Sequence, residues 1–182
     1  FSPVVWRIRL MLNYKRIPYK SIFLDFTGIE ATLKVLGVAP EEYDSGKYTV
    51  PTIRHVPTNK YMMGSGPIAR FLESTYPEPP VPLTSDLGRE IELEARAAGR
   101  QAMMPREIRI LSPRAQEYFR SKCESAIWYH LEDLLNNVEQ NWRTVHGEMR
   151  IFRELMRTHK ADGLFVLSSR PIYTDFFIAG SL

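Results

Sequence analysis

The spacing of apolar residues predicts a helix at the start of the chain. Apolar residues recur there at helical spacing from Val4 to Leu12, with Arg9 and other polar residues off that stripe. Ser2 followed by Pro3 is a typical helix start, because the serine oxygen can accept a hydrogen bond from a first-turn amide and proline has no amide to lose. Ser2 is therefore predicted to cap this helix. Whether its hydroxyl also does chemistry depends on the rest of the chain.

Strand and helix patterns alternate over the next sixty residues. Residues 19–26 are rich in apolar and aromatic side chains, which predicts a strand. Thr27 and Glu30 have the spacing of a capping box and predict a short helix that stops at Gly37. Two short strands, TVPTIRH and KYMM, follow a polar loop and are joined by turn residues. A further helix is predicted to begin at Ser65.

A proline-rich stretch divides the chain. Residues 77–83 (PEPPVPL) contain four prolines, which predicts a semi-rigid connector because such a stretch can be neither helix nor central strand. Beyond it the apolar residues recur at helical spacing, and the last segment, TDFFIAGSL, is apolar nearly all round, as in a buried helix. The prediction is an α/β domain over residues 1–76, a linker over 77–83 and an all-helical domain over 84–182.

Composition and charge narrow the function classes. A chain of 182 residues with 44% hydrophobic and 25% charged residues is typical of a folded globular protein. The basic residues behind the net charge of +3 are scattered, so we expect no nucleic-acid partner. The single cysteine, Cys123, excludes a disulfide framework and fits a reducing compartment such as the cytoplasm. No apolar run is long enough for a membrane span, and the four histidines lack metal-ligand spacing.

Four stretches together resemble one enzyme family. FSPVVWRIRLMLNYKRIPY, IFLDF, YTVPTI and GSGPIARFLESTYP resemble the fungal-specific class of glutathione transferases, which is serine-type and related to bacterial β-etherases. The resemblance covers essentially the whole chain. It implies a thioredoxin-like α/β domain followed by an all-α domain, glutathione as co-substrate, and a homodimeric cytoplasmic enzyme of detoxification. The family's first strand, which precedes the serine, is absent here and relatives continue beyond the last helix, so we expect a fragment of a longer chain.

The resemblance also assigns a glutathione site. It implies a cis peptide bond between Val50 and Pro51, which lets the Val50 main chain pair with the cysteinyl part of the tripeptide. Ser65, at a helix start where exposed amides attract anions, is expected to bind the γ-glutamyl carboxylate. Gly64 stands where relatives usually carry Asp or Glu, which predicts weaker glutathione binding. Lys47 is a candidate for the glycine carboxylate of glutathione, or else a solvated loop lysine.

Ser2 matches the serine that activates glutathione in the serine-type classes. Its hydroxyl would donate a hydrogen bond to the glutathione sulfur and so favour the thiolate, which is the nucleophile. Such a bond to a charged group contributes roughly 1.5–3 kcal/mol, or about one to two units of thiol pKa. In this interpretation Ser2 also keeps its capping role.

An apolar pocket for the electrophile is predicted in the helical domain. Met103, Met104, Tyr118 and Phe119 are candidates for an apolar pocket facing the thiolate, although such residues at helical spacing also form plain cores. Asp175 is expected to cap the last helix and to be structural. The leading function is a glutathione transferase that conjugates hydrophobic aromatic electrophiles or cleaves their ethers. The alternative is a non-catalytic transferase-fold module that binds apolar ligands or partner proteins.

Overall fold

A computed structural model describes residues 2–41, 47–102, 104–127, 131, 136, 138–158 and 163–181. Two strands and eight helices run through these residues, in the order α1 (Pro3–Tyr14), α2 (Ile29–Val35), β1 (Thr52–His55), β2 (Lys60–Met63), α3 (Ser65–Thr75), α4 (Asp86–Ala102), α5 (Met104–Glu107), α6 (Pro113–Ile127), α7 (Val138–Thr158) and α8 (Tyr173–Ser181). Short 3-10 turns precede α2, join β1 to β2 and follow α5.

The two strands form an antiparallel hairpin. Thr52 lies opposite Met63, and His55 lies opposite Lys60. The connecting turn needs a left-handed residue, which Asn59 supplies at φ +53°, and the Arg54 Nε donates a 2.9 Å hydrogen bond to the Asn59 side chain. The two short strands predicted from the sequence are therefore confirmed.

The strand predicted over residues 19–26 is wrong. Residues 17–25 have no regular secondary structure, and no strand in the described residues pairs with them. Two of their apolar side chains face solvent, since Ile22 is 79% exposed and Phe23 is 82% exposed. An apolar sequence favours a strand only where a neighbouring strand accepts its backbone hydrogen bonds.

The second helix begins differently from the prediction. Gly28, rather than Thr27, is the N-cap of α2, and Asp25 caps the 3-10 turn before it: the Asp25 carboxylate accepts hydrogen bonds from the Thr27 N–H at 3.0 Å and the Thr27 hydroxyl at 2.7 Å. Glu30 does not complete a capping box but pairs with Lys34 one turn later. A 3-10 turn over Phe26–Gly28 therefore precedes α2.

The main core joins the α/β half to the helical half. Helix α1 packs against α3 and α8, and α8 packs against α4, so that buried residues of these helices and of the linker form one cluster. Gly180 lets α8 lie close to α1, because a Cβ atom there would lie 2.8 Å from the backbone nitrogen of Arg7. The buried residues of this core are Ile8, Met11, Leu12, Ile68, Ala69, Leu72, Val81, Ile91, Ala95, Val166, Tyr173 and Phe177.

The proline-rich stretch is anchored to the core. Val81 is fully buried, and its N–H donates to both carboxylate oxygens of Glu73 at 3.1 Å. Lys15 at the end of α1 donates to the carbonyl oxygens of Tyr76 at 2.7 Å and Pro79 at 2.9 Å. The segment is therefore held on α1 and α3 over its length.

Asp175 caps the last helix. Its carboxylate accepts hydrogen bonds from the Ile172 N–H at 2.8 Å and the Val166 N–H at 2.9 Å, which ties the preceding loop to the start of α8. The structural role predicted for Asp175 is confirmed.

Two kinds of feature are missing from the part of the chain that the structure describes. None of its helices combines the length and apolarity needed to cross a bilayer. No three side chains of His, Cys, Asp or Glu among these residues come together as a metal ion requires.

Candidate functional site

The hairpin and α3 bring four predicted site residues together. The Val50–Pro51 bond is cis, as predicted, and Pro51 is buried at the entrance to β1. The Pro51 carbonyl accepts a 3.0 Å hydrogen bond from the N–H of Gly64, the residue directly before α3. The backbone of Val50 and Pro51 therefore lies beside Gly64 and Ser65.

The amino end of α3 is not closed by a side chain of its own. Ser65 was predicted to cap this helix but lies one position inside it, and Gly64 is the cap at φ +86° with no side-chain hydrogen bond to the first turn. The first-turn amides and the Ser65 hydroxyl are therefore donors at the positive end of an eleven-residue helix. Such an end favours an anion.

A carboxylate occupies the space beside Gly64. A Cβ atom at position 64 would lie 2.5 Å from Glu41 Oε1, so no larger residue fits there without moving Glu41. The main chain of Glu41 is held by a 3.0 Å hydrogen bond from its N–H to the Lys47 carbonyl. Lys47, whose carbonyl accepts this hydrogen bond, is exposed. Sequence reasoning did not identify Glu41.

Helix α8 contributes a buried tyrosine to the same place. Tyr173 is 6% exposed, and its hydroxyl makes no hydrogen bond of regular geometry among the described residues. Burial raises the pKa of the Tyr173 phenol, and the nearby Ser65 hydroxyl and Arg7 guanidinium oppose that rise in pKa. Tyr173 therefore stays protonated near neutral pH, as a buried donor next to the Ser65 side chain.

Arg7 is the buried charge behind this cluster. Its guanidinium lies 3.5 Å from the centre of the Phe177 ring, and its Nη2 donates to the Ser181 hydroxyl at 2.8 Å. Burial lowers the pKa of Arg7 below its usual value. Arg7 and Tyr173 were both missed from the sequence, where they fall in apolar helical patterns that indicate core positions.

Ser2 lies directly before α1 but does not cap it with its side chain. Its backbone is extended (φ −150°, ψ 124°), and its carbonyl accepts the Val5 N–H at 3.1 Å. The hydroxyl makes no hydrogen bond to the first-turn amides. The expectation that the Ser2 oxygen satisfies one of these amides is therefore wrong, although Ser2 does occupy the N-cap position.

The predicted pocket residues behave as a core where the structure describes them. Phe119 is buried with Ile108 and Leu131, and Phe26 packs edge-on against both Phe119 and Tyr118 at 6.1 and 5.4 Å between ring centres. Tyr118 remains partly exposed at the edge of this cluster. Met103 and the side chain of Met104 lie outside the described residues.

A separate cleft of about 650 Å³ lies between α4 and α7. No predicted site residue takes part in it. Its lining consists of Leu87, Glu90, Ile91, Leu93, Glu94, Glu154 and Thr158. The cleft is therefore distinct from the site around Ser65.

Comparison with known proteins shows the family. Residues 1–75 match the glutathione S-transferase N-terminal domain, and residues 91–182 match the glutathione S-transferase C-terminal domain. The chain belongs to the glutathione S-transferase family. A glutathione S-transferase-like protein of Aspergillus flavus is 29% identical over an alignment of 197 residues, which covers 98% of this chain and 71% of the relative.

Solved glutathione transferases share the fold. One from Ceriporiopsis subvermispora, in complex with glutathione, is 30% identical with a TM-score of 0.76, over 100% of this chain and 77% of that one. Another, from Phanerochaete chrysosporium, is 25% identical with a TM-score of 0.82, over 100% and 77%. The predicted thioredoxin-like and all-helical domains are confirmed, and so is the resemblance to fungal glutathione transferases.

Proposed function

We propose that this protein uses the Ser2 hydroxyl to activate the thiol of glutathione for reaction with hydrophobic aromatic electrophiles. The observation that carries the proposal is the position of Ser2, at the amino end of α1 with a hydroxyl that does not cap the helix. A hydroxyl in that position can donate to a sulfur, and the positive end of α1 favours the same negative charge. Membership in the serine-type class and kinship with the β-etherases are parts of this proposal.

Glutathione would lie along the hairpin entrance and the start of α3. The main chain of Val50, before the cis bond to Pro51, would pair with the cysteinyl backbone. The amides of α3 and the Ser65 hydroxyl would hold the γ-glutamyl carboxylate. Lys47, exposed near the same loop, would reach the glycine carboxylate. Glutathione bound in the solved relative from C. subvermispora supports this choice of co-substrate.

The chemistry needs little beyond a stabilised thiolate. The thiol proton leaves to solvent, and a hydrogen bond from Ser2 of roughly 1.5–3 kcal/mol lowers the thiol pKa from its free value near 8.5 by about one to two units. The sulfur then forms a bond to the electrophilic carbon while the bond to the leaving group breaks. In ether cleavage the leaving group is an aryloxide, which takes a proton from solvent.

The pocket for the electrophile would adjoin α5 and α6. Phe119 supplies core packing there, and the partly exposed ring of Tyr118 is the described residue best placed to meet an aromatic substrate. Met103 and Met104 remain candidates on the same part of the chain. We further expect a cytoplasmic homodimer that detoxifies such electrophiles, and light scattering of the full-length protein at micromolar concentration tests the dimer.

Turnover with glutathione tests the proposed function. We expect glutathione-dependent conjugation of a chloronitrobenzene, or glutathione-dependent cleavage of a β-aryl ether, with saturation in glutathione. Calorimetry measures glutathione binding on the same preparation. Binding of glutathione without turnover of either substrate class would contradict the proposal and support the non-catalytic alternative.

A further inference from the structure

The Glu41 carboxylate lies beside the amino end of α3 at Gly64. The carboxylate attracts cations, whereas the amino end of the helix attracts anions. Glu41 Oε1 lies 2.5 Å from the position of a Cβ atom at residue 64, so a side chain there would displace the Glu41 carboxylate, and the φ of +86° itself favours glycine. Ser65 and the first-turn amides of α3 follow immediately. A negative group therefore borders a site that itself attracts negative groups.

This pairing of charges matches one kind of ligand end. An α-amino acid carries an ammonium and a carboxylate on the same carbon, so its two charges lie within a few ångströms of each other. The ammonium is a donor that a carboxylate such as Glu41 accepts, and the carboxylate is an acceptor for helix amides and hydroxyls. Neither an anion alone nor a cation alone would satisfy both groups.

Tyr173 gives independent evidence that an acceptor binds at Ser65. Buried polar side chains are nearly always hydrogen-bonded. Tyr173 is only 6% exposed, yet its hydroxyl makes no hydrogen bond of regular geometry among the described residues. Its oxygen lies next to the Ser65 side chain, whose hydrogen-bonding contact opposes the rise in the pKa of Tyr173 that burial causes. A ligand carboxylate at the start of α3 would supply the missing acceptor.

We infer that Glu41 binds the ammonium of the γ-glutamyl group of glutathione, while Ser65 and the amides of α3 bind its carboxylate. The inference rests on the proposed function for the identity of the ligand. It assigns the acidic role at this site to a loop residue, although relatives usually carry the acid at the position of Gly64. The reduced affinity expected from Gly64 would then be offset by Glu41.

A purely structural role for Glu41 makes a different prediction. A carboxylate near the amino end of a helix also stabilises the helix itself, through the same partial charge. In that case Glu41→Gln would lower the melting temperature and would change the binding of every glutathione analogue by a similar factor. Recognition of the ammonium would change only the binding of ligands that possess one.

The decisive measurement compares glutathione with an analogue that lacks the γ-glutamyl amino group. Wild-type protein should bind glutathione about tenfold or more tightly than this analogue, as a charge-assisted hydrogen bond allows. In Glu41→Gln that preference should fall by a similar factor, with the affinity for the analogue nearly unchanged. Glu30→Gln, on the exposed face of α2 where Glu30 pairs with Lys34, is the matched control and should keep the wild-type preference.

The outcomes separate this inference from the proposed function. Equal losses for both ligands in Glu41→Gln, or an unchanged preference, would overturn the role of Glu41 even if the enzyme turns over aromatic electrophiles. Glutathione binding with the expected preference but without turnover would support Glu41 and contradict the proposed chemistry. Failure of the wild type to bind either ligand would overturn both.

Discussion

Lys15 and Glu73 form an ion pair at the junction of the two halves, with 2.6 Å between Nζ and Oε2 and a Lys15 side chain that is 0% exposed. The same carboxylate accepts the Val81 N–H, so the pair links α1, α3 and the proline-rich segment. We expect Glu73→Ala to lower the free energy of unfolding by about 3 kcal/mol, because it leaves a buried ammonium without its counter-charge. Lys15→Met should lower it by less, since the Glu73 carboxylate that remains is 24% exposed and still accepts the Val81 N–H.

Urea unfolding measures both variants, and α2 offers the control. Lys34 and Glu30 form a pair at the same 2.6 Å distance, but their side chains are 56% and 62% exposed. Lys34→Met should therefore leave stability within experimental error of the wild type. Equal effects of Lys34→Met and Glu73→Ala would show that burial does not decide the strength of these pairs.

Gly180 determines how closely α1 and α8 approach. Gly180→Ala places a methyl group 2.8 Å from the backbone nitrogen of Arg7, so the helices must separate. We expect a loss of about 1–3 kcal/mol in unfolding free energy, as for other overpacked core positions. Gly147 lies exposed within α7 with nothing within 4 Å of an added Cβ atom, so Gly147→Ala should instead stabilise the protein by about 0.5–1 kcal/mol. Thermal unfolding of both variants checks the opposite signs.

Asp25 should make stability depend on pH in the acid range. Hydrogen bonds from Thr27, and then from the Ser112 hydroxyl at 3.2 Å, hold the pKa of Asp25 below its usual value. The unfolded chain therefore binds a proton at a higher pH than the folded one. The contribution of Asp25 is complete above its ordinary pKa near 3.9 and is lost as the pH falls through the lower folded value.

The comparison with Asp25→Asn isolates that contribution. The variant should be less stable than the wild type at pH 6 and should lose less stability between pH 5 and pH 3, measured by urea unfolding at each pH. Glu117→Gln, at an exposed position of α6, controls for the loss of one surface carboxylate. A wild-type curve parallel to that of Asp25→Asn would contradict the assignment.

Short sequence motifs predicted the features that depend on residues close together in the sequence. The hairpin, α3, the cis bond before Pro51 and the cap at Asp175 were all predicted, the cis bond through the family resemblance. The strand over residues 19–26 failed because strand formation depends on a partner that composition does not reveal.

Residues that act across the fold were not visible in the sequence. Lys15 falls in an ordinary polar position just after the first helix, yet the fold buries it against Glu73. Glu41 stands among other acidic residues of a polar loop, and only the three-dimensional structure shows which carboxylate reaches Gly64. The sequence signal that could have led to Glu41 was Gly64. Relatives usually carry an acidic residue at that position, so its absence indicates that another carboxylate takes its place.

Substitution of Ser2 tests the proposed mechanism at the reacting sulfur. Ser2→Ala should leave glutathione binding nearly intact, because the tripeptide is held mainly at Val50 and Ser65. It should lower turnover with a standard aromatic electrophile and raise the pKa of the bound thiol by about one to two units, measured by thiolate absorbance. Stability should change little, since the Ser2 hydroxyl does not cap α1.

Ser65→Ala should show the complementary pattern, and an exposed serine provides the control. Ser65 would contact the carboxylate end of glutathione, so its loss should weaken binding with little change in thiol pKa. Ser21→Ala, in the exposed segment before Asp25, should change neither quantity. An unchanged thiol pKa in Ser2→Ala would remove the catalytic role from Ser2, whereas the same pKa shift in both Ser2→Ala and Ser65→Ala would indicate a general disturbance of the site. A pKa shift confined to Ser2→Ala would place the activating hydrogen bond at the amino end of α1.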